Sequence, residues 1–143
     1  VSIPRCKKIG KHAFDNCRSL RSVYFNYVTQ INDCAFHNCA NLKGVRFPEA
    51  ITINYSAFSN CASLTSVEMP KLKEVGQSGF AGCSKLTCIT LFSATKIGEY
   101  AFQKCSKLSY VDFEQLNEIS DYCFYKCHEL NDFHLPLVSK IGQ

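Results

Sequence analysis

The sequence lacks tryptophan, has one methionine in 143 residues, and contains no apolar run near the roughly 18 to 20 residues that a membrane-spanning helix needs. Direct membrane insertion by this segment is therefore not expected. Charge of one sign is also scarce: sixteen Lys and Arg face twelve Asp and Glu, for a net +4. That balance is too weak and too mixed for the dense basic stripe that nucleic acid favours. With 46% apolar residues the composition suits one soluble globular unit. The opening Val1-Ser2-Ile3-Pro4-Arg5 does not have the basic-then-apolar order of a secretion signal. The chain begins and ends inside a repeat, so any signal, anchor or cap is expected on parts of the protein outside it.

What the sequence has is repetition. Ala13-Phe14 returns as Ala35-Phe36, Ala57-Phe58, Gly79-Phe80, Ala101-Phe102 and Cys123-Phe124, each Phe 22 residues after the last. Three residues later stand Cys17, Cys39, Cys61, Cys83, Cys105 and Cys127, and three further Leu20, Leu42, Leu64, Leu86, Leu108 and Leu130. Apolar positions continue through Val23, Val45, Val67, Ile89, Val111 and Phe133, and through Ile31, Ile53, Val75, Ile97, Ile119 and Ile141. Around Val23-Tyr24-Phe25 apolar and polar residues alternate, which predicts a short strand. From Ala35 through Phe36 and Cys39 to Leu42 the spacing is three to four residues, which predicts a helical turn. The glycines Gly10, Gly76, Gly98 and Gly142, with Asn32 and Asn54 in the same place, imply a tight turn with positive φ. A 22-residue coil cannot bury its own apolar face, so coils must stack with equivalent strands pairing in parallel. The expected fold is an α/β repeat solenoid, one domain over residues 1–143 with about six and a half repeats and no visible cap.

Leu20, Val23, Phe25, Val28 and Ile31 resemble the leucine-rich-repeat consensus, with an apolar residue where Asn usually stands. The strings Ile9-Gly10-x-x-Ala13-Phe14-x-x-Cys17-x-x-Leu20 and Ile97-Gly98-x-x-Ala101-Phe102-x-x-Cys105-x-x-Leu108 resemble the BspA-type repeats of host-associated bacteria and parasitic protists. The resemblance implies a curved rod with a parallel β-sheet on the concave side and short helical turns opposite. It implies surface or secreted proteins that adhere to a protein or glycoprotein partner, with no shared catalytic site. An intracellular scaffold is the alternative that this repeat type also permits.

Ten cysteines raise the question of disulfides or metal. Six lie on one buried stripe, one per coil, and neighbouring Cβ vectors would run parallel at the coil spacing, longer than the roughly 3.8 Å a disulfide prefers. Reduced, buried thiols that resist labelling are expected, in sites with no assured partner for a stronger polar group. Pairs such as Cys34 with Cys39 follow from the repeat, so neither metal nor cofactor is expected. Four histidines, His12, His37, His128 and His134, come with no nucleophile elbow, phosphate loop or orienting third group, so no catalytic residue is named and an enzyme is not expected. Asp112 and His134 share one strand column in successive coils and read as a surface ion pair. Asn54-Tyr55-Ser56 fits a glycosylation acceptor that matters only in a secretory compartment.

The informative positions face outward from the strands. One column runs Ser2, Tyr24, Arg46, Glu68, Thr90, Asp112 and His134. Beside it lie Tyr110 on one side, and Phe92 and Glu114 with the prolines on the other. These positions vary where the core does not, and Tyr, Phe and Arg are enriched at interfaces. Tyr24, Arg46, Glu68, Phe92, Tyr110 and Asp112 are the candidate binding residues.

Charge is uneven along the rod, since residues 1–48 hold eight basic and two acidic residues, net +6, and residues 110–143 hold two basic and six acidic, net −4. Solenoids without polar end units expose apolar coil faces. The segment expressed alone is therefore expected to self-associate end to end, and sedimentation giving a monodisperse monomer at high concentration would contradict this.

Overall fold

Each 22-residue unit folds into one coil carrying two short strands. The structure is a computed structural model that describes residues 5–143. Ser2 and Pro4, and the terminal apolar residues Val1 and Ile3, lie outside the described residues. The three-residue strands are β2 (Ser22–Tyr24), β4 (Gly44–Arg46), β6 (Ser66–Glu68), β8 (Cys88–Thr90), β10 (Tyr110–Asp112) and β12 (Asp132–His134). The two-residue strands are β1 (Lys8–Ile9), β3 (Gln30–Ile31), β5 (Thr52–Ile53), β7 (Glu74–Val75), β9 (Lys96–Ile97), β11 (Glu118–Ile119) and β13 (Lys140–Ile141). All pairing is parallel, and partners such as Val23 and Val45, or Ile31 and Ile53, are one coil apart. The result is a parallel β-solenoid of about six turns.

This differs from the expected single sheet. The second apolar anchor of each coil, Ile9, Ile31 and their equivalents, builds a ladder of its own in the order β1-β3-β5-β7-β9, then β11-β13. The three-residue ladder is likewise divided, into β2-β4-β6 and β8-β10-β12.

The helical turns are a second correction, since the described residues contain no helix. In the second coil Cys34 and Asn38 have φ of 53° and 55°, a left-handed conformation that an α-helix does not admit. The same two places in later coils hold Ser56 and Asn60, then Ser78 and Gly82, then Tyr100 and Lys104. The amides of Cys34, Phe36 and Asn38 donate to Tyr55, Ala57 and Ser59 of the next coil. Those of Ala35, His37 and Cys39 donate three residues back, to Asn32, Cys34 and Phe36. Every second amide is thus spent between coils and every other one in a local turn. The three-residue turns give the same side-chain spacing as a helix, which is why the periodicity misled.

The glycine column also has another cause. Gly10, Gly76, Gly98 and Gly142 are not among the positive-φ residues. A Cβ on Gly76 would lie 2.6 Å from the Asn54 carbonyl carbon, and one on Gly98 2.6 Å from the Gln77 amide nitrogen. Close approach of neighbouring backbones therefore excludes a side chain at Gly76 and Gly98, whereas Gly10 has open space. Asn fits earlier in the column because its amide is used: Asn32 Nδ2 donates to Ile9 O at 2.8 Å and Asn54 Nδ2 to Asn32 Oδ1 at 3.2 Å.

The core is a set of columns. The Phe14, Phe36, Phe58, Phe80, Phe102 and Phe124 rings stack with centroids 5.0 to 5.7 Å apart. Beside them the thiols act as weak donors, and a carbonyl stands ready for each of five in the column. Cys39, Cys61, Cys83, Cys105 and Cys127 each donate Sγ–H to the Phe carbonyl of the preceding coil, at 3.0 to 3.3 Å. All described cysteines are free. Protection is less uniform than expected, since Cys17 and Cys127 at the ends of the column are only partly buried, whereas Cys123, outside it, is fully buried.

Burial pushes the Cys39 thiol up to about 11 and those of Cys61, Cys83, Cys105 and Cys123 higher still. A raised thiol pKa means that the unfolded chain releases protons first, so stability is full below the ordinary thiol value and falls as pH rises past it. The folded chain should lose up to ~1.4 kcal/mol per pH unit for each buried thiol above about pH 9. Urea unfolding at about pH 7.5 and about pH 10 measures this. Cys61→Ala should lower stability at both values yet flatten the slope, and an unchanged slope would contradict the buried thiol column.

Candidate functional site

The strand register fixes where the outward side chains stand. Val23, Val45, Ile89 and Val111 point inward and are buried, so their neighbours on each strand point out. Tyr24 on β2 is 56% exposed and pairs in register with Arg46 on β4, which pairs with Glu68 on β6. Arg46 Nε donates to Glu68 Oε1 at 2.8 Å, and its Nη1 reaches Asn26 Oδ1 at 3.4 Å. Both side chains of that pair are exposed, so it contributes about 0 to 1 kcal/mol. Its effect is to tie the guanidinium between Glu68 and Asn26, with Tyr24 in register on the neighbouring strand.

The remaining three candidates form a second group. Phe92, 48% exposed, follows β8, while Tyr110 and Asp112 are half-buried on β10. Tyr110 OH donates to Asp112 Oδ2 at 3.1 Å. Desolvation first, and then the Asp112 carboxylate, push the Tyr110 phenol up. The hydrogen-bonded ladder stops between β6 and β8, so the six residues divide into Tyr24, Arg46 and Glu68 on one sheet and Phe92, Tyr110 and Asp112 on the next. No periodic signal marks that division.

Asp112 and His134 are partners in register, but they do not form the expected ion pair within 4.0 Å. Instead, one donor atom from each of Asp112, Glu114 and His134 lies within 4.8 Å of the other two. Asp112 Oδ1 is shielded from solvent and has no hydrogen-bond partner. Glu114 follows Asp112 by two residues and His134 by 22, a spacing that already placed all three on one face.

Other surfaces also carry chemistry. Asp15 accepts from His12 Nδ1 and His37 Nδ1, each at 3.0 Å, and the His12 hydrogen bond above all holds its carboxyl below the usual range. Tyr27, Tyr55 and Tyr125 are 57%, 52% and 45% exposed, so exposed aromatics are not confined to the strand face. Tyr100 stacks on Tyr122, Tyr125 meets Tyr122 edge-on, and Lys126 Nζ lies 5.2 Å from the Tyr125 ring centre. At the C-terminal end Tyr122, Tyr125, Phe133 and Ile141 line an open apolar cleft of about 550 Å³.

The model of the BspA type leucine rich repeat region matches residues 1–92 and 29–143, in six copies. The chain belongs to this family. Its members are leucine-rich repeat proteins, generally protein-interaction modules, and the solenoid is typically non-enzymatic. A leucine-rich repeat protein of T. pallidum superposes with a TM-score of 0.93 at 26% identity, over 99% of this chain and 72% of that one. One from Bacteroides ovatus gives 0.76 at 27% identity, over all of this chain and 47% of that one. This chain therefore spans under half of the Bacteroides protein. Curated proteins give no significant match. No helix among the described residues is long and apolar enough to cross a membrane.

Proposed function

We propose that this segment is a recognition module of a surface or secreted adhesin-like protein, which contacts a protein or glycoprotein through the outward, concave face of its three-residue strands. The observation that carries this reading is the pair of exposed aromatics, Tyr24 and Phe92, at 56% and 48%. Each occupies a column whose other members are small, polar or proline, so stacking does not require a ring there. Exposed aromatics on the same face as an Arg bonded to Glu68 match the composition of interface anchors. The Arg46–Glu68 pair would be desolvated on binding, which favours a partner that supplies replacement hydrogen bonds.

One observation favours a second reading. The Tyr100, Tyr122, Tyr125 and Lys126 group lies on the turn side, away from the strand face, and would serve an intracellular scaffold that docks through its lateral surface. End-to-end self-association draws support from the apolar cleft at the C-terminal end and from the charge gradient along the rod.

The two readings separate by mutation. Tyr24→Ala, Arg46→Ala, Phe92→Ala and Tyr110→Ala should each leave the thermal midpoint nearly unchanged. At least one should weaken a captured partner, measured by surface plasmon resonance, by about 1 to 2 kcal/mol. Gln103→Ala and Lys85→Ala serve as controls. Lys104→Ala is a further control, since lysine and alanine both carry a Cβ at its φ of 59°. Loss of binding in Tyr125→Ala, with the four strand-face variants unaffected, would transfer the function to the turn side.

A further inference from the structure

Five pairs of opposite charges in successive coils close into ion pairs, although Glu74 and Lys96, also in register, do not. Lys11 meets Asp33, Arg46 meets Glu68, Lys71 meets Glu49, Lys107 meets Glu129 and Lys140 meets Glu118, all at 2.6 to 2.8 Å. Asp112 and Glu114 are in none of the ion pairs formed by the described residues. They sit with His134 where two successive coils meet, and Asp132 adds a further carboxylate opposite Tyr110 in register. The neighbourhood therefore gathers three carboxylates and an imidazole with no lysine or arginine paired to them.

The state of Asp112 is the second observation. Its Oδ2 is taken by the Tyr110 hydroxyl, while Oδ1 is closed to solvent and accepts nothing. An anionic oxygen without water or a donor is destabilising, and a cation offsets that cost most directly. The hydrogen bond at Oδ2 leaves the other oxygen available and fixes the plane of the carboxylate, as outer partners of metal ligands do.

We propose that Asp112, Glu114 and His134 form a divalent metal site on the strand face, suited to zinc-like ions rather than calcium or magnesium. The donor set decides the class. Calcium and magnesium select oxygen ligands throughout, whereas an imidazole with carboxylates suits Zn²⁺, Co²⁺ or Ni²⁺. Bonds of about 2.1 Å at tetrahedral angles separate ligand atoms by roughly 3.4 Å, so donors now within 4.8 Å must close by up to roughly 1.4 Å. Glu114 and His134 are exposed and free to do so by side-chain rotation. Three protein ligands leave at least one position open to water, the arrangement of a site that can exchange its fourth ligand. Tyr110 is a positioning residue here, acting through Asp112. The site stands independently of whether the strand face binds a protein partner.

Ten thiols compete for such ions, and Cys88 is the exposed one, in register with Tyr110. The test therefore uses Co²⁺, whose thiolate complexes have an intense charge-transfer band that imidazole and carboxylate complexes lack. Chelator-treated, reduced chain carrying Cys88→Ser is titrated with Co²⁺, following visible absorption and calorimetry. One saturable ion per chain without the charge-transfer band is expected. Asp112→Asn, Glu114→Gln and His134→Gln should each weaken it about tenfold or more, and Tyr110→Phe should weaken it less. Thermal midpoints close to the parent's in the absence of metal establish that the variants are folded. If one variant fails that check, the remaining two decide. A charge-transfer band, affinity unchanged by His134→Gln, or no saturable binding in the folded parent would each overturn the site.

Discussion

Everything in this molecule depends on neighbouring coils meeting at strand spacing along the whole circuit. The strand ladders supply part of that contact, but the stretch around each Phe supplies the most regular part. There every second amide crosses to the next coil, from His12, Phe14 and Asn16 to Asp33, Ala35 and His37. The left-handed residues make this possible. A non-glycine residue with positive φ costs roughly 1 to 2 kcal/mol, so two per coil would not persist unless what they permit outweighs it. They turn alternate amides outward along the rod axis, and the Phe and Cys columns then fall into register behind them. Local strain, backbone ladder and ring stack are one structural decision.

That decision explains which parts of the fold could be read in advance. Phe14 through Phe124 return every 22 residues because the ring stack tolerates no slip, so periodicity, stacking and the family were legible. The helical turns were not, because hydrogen bonds three residues back and an α-helix produce the same side-chain spacing. What distinguishes them is the backbone at Cys34, Ser56, Ser78 and Tyr100, residue types that do not advertise positive φ, and at Asn16, Asn38, Asn60 and Gly82, a column whose residue types do and whose signal was missed. Glycine misled in the complementary way. Gly76 and Gly98 are required by a neighbour's backbone, so their signal reported a contact between coils and was taken for a turn within one.

The outward face was legible to a different degree. Knowing that Val23 and Val45 point inward is enough to place Tyr24 and Arg46 on the surface, and the pairing of Arg46 with Glu68 follows from equal position in successive coils. The separation between β6 and β8 was hidden, because Leu64 to Met69 and Leu86 to Leu91 follow the consensus as well as any other coil. Asp112 and His134 stood visibly in one column. Reading them as an ion pair assumed that opposite charges in register close on each other, as Arg46 and Glu68 do. Asp112 is instead tied down by Tyr110, two residues earlier on its own strand, and that local bond leaves His134 facing two carboxylates.

The architecture separates stability from recognition by direction. An inward position is copied in every coil, because each ring or thiol touches its own equivalent above and below, and a change there disturbs two contacts of the same kind. An outward position touches its equivalents only through side-chain tips, so Tyr24, Arg46, Glu68, Thr90, Asp112 and His134 can differ without altering the stack. Adjacent coils nonetheless bring those tips within reach of one another. Residues 22 apart thus become partners in a site, as close as residues two apart on one strand. A repeat that forces uniformity on its core can therefore assemble a combination of unlike groups on its face, such as Asp112, Glu114 and His134, from three substitutions in two coils.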